Sequence, residues 1–123
     1  MKVLVVDDSS GVRTRLAGML CELAGVEEVL QADRTSEALA MARASSPGVI
    51  VLDLNLGEEN GLALLPLLRR EHARAVVIVL TNHASPAHRR QCEASGASYF
   101  FDKSNDFGRV VELVAMLGGP GRA

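Results

Sequence analysis

The chain contains no tryptophan, one tyrosine and three phenylalanines in 123 residues. With so few rings, leucine, valine and alanine have to build the core. Cysteine is equally scarce. Cys21 and Cys92 stand far apart with no metal-ligand spacing around either. This favours two reduced thiols, each in a helix, in a cytosolic protein, although the sequence leaves a bridge between them open. No apolar run is long enough to span a bilayer. The apolar start of the chain is cut short by Asp7-Asp8, too early for a signal-peptide core. Charge of one sign is not concentrated anywhere: 13 Lys and Arg oppose 15 Asp and Glu, a net charge of −2. The lack of a basic block argues against a nucleic-acid-binding arm. The expectation is one domain over residues 1–118 with a flexible tail at 119–123, cytoplasmic, with no membrane and no direct nucleic-acid contact.

What is present is an alternation. Short apolar runs at 3–6, 26–32, 49–52, 75–80 and 97–101 are separated by amphipathic stretches. The runs read as strands, and the Glu27-Glu28 pair in the second suits a sheet edge. Ser9 or Ser10 caps the first helix, which Gly25 closes, and Thr35 or Ser36 opens the second. A loop at 57–61 leads to a third helix at 62–70, capped by Asn60. Pro66 inside it predicts a kink or a late start of the regular helix. Ser85-Pro86 starts a fourth helix that Gly96 stops. Its interior, His88-Arg89-Arg90-Gln91-Cys92-Glu93, is polar, so it should pack lightly. Ser104 or Asn105 caps the last helix, whose apolar stripe is Phe107, Val110, Val111, Val114 and Leu117. Five strand–helix alternations predict an α/β fold: a doubly wound parallel sheet with helices on both faces.

The C-terminal ends of parallel strands share one edge, and ligands of open α/β sheets bind there. The first strand ends in Asp7-Asp8, the third in Asp53, the fourth in Thr81 and the fifth in Asp102-Lys103. Taken singly, these are turn residues, caps and surface charges. Together they bring carboxylates, a hydroxyl and an ammonium to one place. Close carboxylates repel one another unless a cation intervenes. Mg²⁺ suits such a set, because it accepts a few carboxylates and keeps room for water and substrate oxygens. A carboxylate beside that ion can attack phosphorus, and Lys103 and Thr81 can stabilise the charge spread over the transferring group.

In these features, and in the Gly96-Ala97 pair, the chain from Lys2 to about Leu117 resembles the receiver domains of two-component response regulators, of the chemotaxis-receiver type. The resemblance implies a flavodoxin-like five-stranded sheet in order 2-1-3-4-5 with five helices. It implies that Asp53 accepts a phosphoryl group from a phosphohistidine of a sensor histidine kinase or a histidine phosphotransfer protein. Asp7, Asp8, Asp53 and the Asn55 backbone carbonyl then hold Mg²⁺, and Thr81 and Lys103 contact the phosphoryl group. Thr81 and Phe100 act as the switch, and Asn55 and His83 tune dephosphorylation. An output protein reads the surface of the fourth helix, fifth strand and fifth helix, the chain being a monomer or a phosphorylation-dependent dimer.

Four positions depart from the family's common residues. Phe100 replaces a tyrosine, Ser104 and Gly57 replace prolines, and Asn82, which narrows access to Asp53, replaces a smaller residue. Two other functions compete. A phosphorylation-independent interaction module on the same fold would have no reason to keep Asp7, Asp8, Asp53, Thr81 and Lys103. An aspartyl phosphatase would need an acid two residues after the nucleophile, where this chain has Asn55. The chain is therefore read as a switch and not an enzyme.

Overall fold

The computed structural model describes residues 1–82 and 85–118. Five strands, β1 (Lys2–Val6), β2 (Glu28–Ala32), β3 (Val49–Leu52), β4 (Val76–Thr81) and β5 (Tyr99–Asp102), form one sheet. All neighbours are parallel, in the order β2-β1-β3-β4-β5. Five helices cover it: α1 (Ser10–Cys21), α2 (Thr35–Ser45), α3 (Leu64–Glu71), α4 (Pro86–Ser95) and α5 (Phe107–Leu117).

Strand side chains alternate between two cores. Leu4, Val6, Ile50, Leu52, Val77 and Val79 face α2, α3 and α4, where they meet Ala38, Ala42, Leu65, Leu68 and Cys92. Val3, Val5, Val49, Val51, Ile78 and Leu80 face α1 and α5, where they meet Leu16, Leu20, Val110 and Val114. A strand buried on both faces must be apolar at every position, which is why β3 reads as an unbroken run. β2 lies at the edge, as the Glu27-Glu28 pair at its start implies. Both cysteines are free.

Several boundaries differ from expectation, each for a local reason. Helix α1 ends at Cys21 rather than Gly25, because Glu22 and Leu23 donate three residues back, to the carbonyls of Met19 and Leu20, and tighten the last turn. Strand β2 starts at Glu28, since the Val26 N–H is taken by the Leu23 carbonyl. The expected loop at 57–61 is partly a hairpin that begins before it, Asn55–Leu56 against Glu59–Asn60. Gly57 opens its two-residue turn at φ +68, the left-handed value such a turn needs at that position. A proline there, with φ held near −65°, could not make this turn.

Asn60 caps a 3₁₀ turn at Gly61–Ala63, and α3 proper starts at Leu64. Pro66 therefore falls in the first turn of α3, where a missing N–H costs nothing. This is the late start anticipated from the sequence. The N-cap position of α5 falls on Asp106, which makes no side-chain capping bond, and not on Ser104 or Asn105. Both of the expected residues are engaged with Asp102 instead.

Helix α4 begins as expected, with Ser85 accepting from the His88 N–H and Pro86 in the first turn. It contributes one buried residue, Cys92. Its C-terminal end is fastened by Arg69 of α3. That guanidinium donates to the carbonyls of Gly96, Ala73 and Ala75 and to the Ser98 hydroxyl, at 2.8–3.2 Å. Among the described residues no helix is long and apolar enough to cross a membrane. Leu65 is fully buried, so Leu65→Ala is expected to lower the free energy of unfolding by about 2–5 kcal/mol in urea denaturation.

Candidate functional site

Strands β1 and β3 end level with one another, through the pair Val6↔Leu52, and β4 runs two residues past Val79, the partner of Leu52, to Thr81. The residues that follow therefore meet at one edge. Asp7 and Asp53 are held there by their own backbones, the Asp7 N–H donating to Ala32 and the Asp53 N–H to Val6. Lys103 arrives from β5, its N–H bonded to the Thr81 carbonyl at 2.9 Å.

The Lys103 ammonium donates to both buried carboxylates, at 2.6 Å to Asp7 and 2.7 Å to Asp53. The sequence suggested only the bond to Asp53. The remaining oxygens of the pair accept backbone donors: Ser9 N–H to Asp7 at 2.9 Å and Asn55 N–H to Asp53 at 3.1 Å. Asp8 is exposed. Oxygens of Asp7, Asp8 and Asp53 all lie within 4.8 Å of one another. Three ionised carboxylates and one ammonium leave two formal negative charges unbalanced. The donors are all hard oxygens, a set that fits Mg²⁺ or Ca²⁺ and not a thiophilic metal.

Burial pushes the Asp7 carboxyl above its usual 3.8, outweighing the bonds from Lys103 and Ser9. Burial pulls Lys103 down, but the bonds to Asp53 and Asp7 prevail and hold it above 10.5. Lys103 thus stays charged between its two partners.

Thr81 is fully buried at the end of β4 and pairs in register with Asp102. Phe100 is buried among the residues of the α2–α3–α4 core, and the Arg89 guanidinium of α4 lies 5.1 Å from its ring centre. Tyr99 and Phe101 point to the opposite face with their rings stacked. Asn82 is exposed at the rim of a cleft of about 430 Å³ that reaches Lys103. His83 lies outside the described residues, as does the tail at 119–123.

Two supporting groups were not anticipated. Arg13, in the first turns of α1, donates to the Asp7 carbonyl at 2.7 Å. Asp102 accepts from the Ser104 N–H and hydroxyl at 2.9 and 2.7 Å and from the Asn105 side chain at 3.2 Å. That turn brackets Lys103. It also gives a reason for serine in place of proline, which has no N–H to donate. The signal was present in the sequence as an Asp followed two residues later by a Ser. Gly61 packs beneath the site: a Cβ there would lie 2.7 Å from the Asp53 carbonyl oxygen and 2.9 Å from Leu54 Cα.

A parallel sheet of this order, with an acidic triad and a lysine at its C-terminal edge, defines a receiver domain. The chain belongs to that family: the response regulator receiver domain matches residues 3–115. It is 37% identical over 100 residues to the response regulator GacA of Pseudomonas aeruginosa, covering 80% of this chain and 47% of that protein. Among solved structures, a Burkholderia pseudomallei response regulator with a phosphorylated aspartic acid, calcium ion and citrate is 30% identical. It superposes with a TM-score of 0.84 over 99% of this chain and 72% of that one. The chemotaxis protein CheY4 of Vibrio cholerae is 28% identical, with a TM-score of 0.83 over 94% of this chain and 96% of that one. The chain spans about half the length of the GacA proteins it matches.

Two tests follow from the local geometry. Gly61→Ala must displace the Asp53–Leu54 backbone. It is expected to cost about 1–3 kcal/mol in urea denaturation and to move the Asp53 amide resonance. Asp102 is held below 3.8 chiefly by the Ser104 hydroxyl and N–H. Its folded value is depressed, so its contribution to stability is present above 3.8 and lost as pH falls through the lower folded value. Ser104→Ala should raise the Asp102 carboxyl titration, followed by NMR, toward 3.8. An unmoved titration would rule out Ser104 as the cause.

Proposed function

We propose that Asp53 is the phosphoacceptor of this receiver. The observation that carries the reading is the Lys103 ammonium 2.7 Å from Asp53 inside a cluster of three carboxylates. An Asp53 oxygen forms a bond to phosphorus as the P–N bond of a donor phosphohistidine breaks, and the departing imidazole takes up a proton. The donor is a sensor histidine kinase or a histidine phosphotransfer protein. Lys103 follows the negative charge from the carboxylate to the phosphoryl oxygens, and the Thr81 hydroxyl turns to the same group.

Asp7, Asp8, Asp53 and the Asn55 carbonyl would hold Mg²⁺, which when bound neutralises charge on the transferring group. Two unbalanced negative charges in a cluster of hard oxygens support that choice. Asn55 and His83 set the lifetime of the aspartyl phosphate.

Phe100 and Thr81 pass the change to α4, β5 and α5, where an output protein reads it. The light packing of α4 supports this, since an element with little buried area costs little to shift. In this reading the chain is a cytoplasmic switch that turns over no substrate beyond its own phosphoryl group.

The test is intact mass over time with Mg²⁺ and a small acyl phosphate, and with a panel of histidine-phosphorylated donors. One phosphoryl group should be gained by the unaltered chain, and none by Asp53→Asn or with Mg²⁺ chelated. Equal gain by Asp53→Asn would assign the phosphoryl group elsewhere. No gain from any donor would return the chain to a phosphorylation-independent interaction module.

A further inference from the structure

A hairpin as short as Asn55–Leu56 with Glu59–Asn60 does not hold its shape in water unaided. At one end it is joined to the acidic site. The Asn55 N–H donates to Asp53, and a Cβ on Gly57 would lie 3.8 Å from Asp8 Oδ2. Leu56 anchors it in the core at 3% exposure. At the other end Glu59 reaches across to α2. Its Oε1 accepts from the Thr35 N–H at 2.7 Å and from the Thr35 hydroxyl at 3.1 Å.

Helix α2 is open to such a partner. Its N-cap residue, Arg34, makes no side-chain capping bond, and the first N–H groups of a helix have no partner within it. A carboxylate is also favoured there by the helix dipole. Glu59 therefore caps α2 from a separate segment of the chain, and in return α2 fixes the hairpin.

We infer that Glu59 is a positioning residue for the acidic site. By tying the hairpin to α2 it keeps Asn55 in place against Asp53, and the turn at Gly57 in place against Asp8. The inference rests on the reading of the acidic cluster as a divalent-cation site with the Asn55 carbonyl as a donor. Glu58 provides the control. It is adjacent, exposed and of the same charge, but makes no hydrogen bond among the described residues.

The experiment measures Mg²⁺ affinity by calorimetry, and amide hydrogen exchange of the hairpin without metal. The proteins are the full chain and its Glu59→Ala, Thr35→Val and Glu58→Ala variants, with the Glu59→Ala/Thr35→Val double variant. Glu59→Ala should weaken Mg²⁺ binding roughly 3- to 10-fold, the worth of one or two hydrogen bonds. Thr35→Val should weaken it less, although it alters no charge, and the two effects should not add. Exchange at Asn55 and Leu56 should quicken in both. Equal weakening by Glu58→Ala and Glu59→Ala, with Thr35→Val unchanged, would reduce the effect to plain charge and overturn the inference. Faster exchange with unchanged affinity would leave only a structural tether. An unaltered chain that bound no Mg²⁺ would defeat the cation-site reading, and the inference with it.

Discussion

The structure depends on one shared cation. Asp7 and Asp53 are buried at adjacent strand ends, and burial, with a smaller part from the neighbouring Asp53, opposes ionisation of Asp7. The Lys103 ammonium between them is the compensating group. It can serve both only because β1 and β3 finish at the same level and β5 returns the chain beside β4. The apolar cores on both faces supply the rigidity that keeps like charges at this spacing. Asp8, on the exposed side, completes a cluster that one lysine does not neutralise. That residual charge is what supports the proposed divalent-cation and phosphoryl-acceptor roles.

Much of this was legible in the sequence, because strands buried on both faces leave continuous apolar runs and the polar residue after each run marks the sheet edge. The four strands bearing Asp7-Asp8, Asp53, Thr81 and Lys103 could be aligned without knowing a single contact. Boundaries set by hydrogen bonds between distant segments could not. Nothing local shows that Leu23 folds back on α1, or that Ser104 and Asn105 are held by Asp102 and leave the N-cap position to Asp106. The second bond of Lys103, to Asp7, depends on strand level and not on residue type. The same holds for Glu59, whose partner Thr35 lies in another helix.

Most of the departures from common receiver residues become coherent once the contacts are known. Gly57 permits a left-handed turn closed to proline, and Ser104 supplies donors that proline lacks. Phe100 has no hydroxyl to anchor it, but its ring lies beneath the Arg89 guanidinium, an attraction worth about 0.5–1 kcal/mol at an exposed site. Gly57 and Ser104 thus meet local requirements of this chain, and nothing in the structure explains Asn82. These substitutions leave the charged cluster unaltered.

Helix α4 has a firm fastening at its C-terminal end. Arg69 ties the Gly96 carbonyl to the backbone of Ala73 and Ala75, while along its length only Cys92 is sunk in the core. A rod held in this way is a lever. Any reorientation that leaves the Arg69 bonds intact has its fulcrum near Gly96, and its travel grows toward Pro86. Ten residues of helix are about 15 Å long, so a tilt of about 10° displaces the Pro86 end by about 2.6 Å. That moving end joins the segment leading from Thr81. The fold thus sets the largest amplitude beside the acidic site and the smallest at the far side of the sheet.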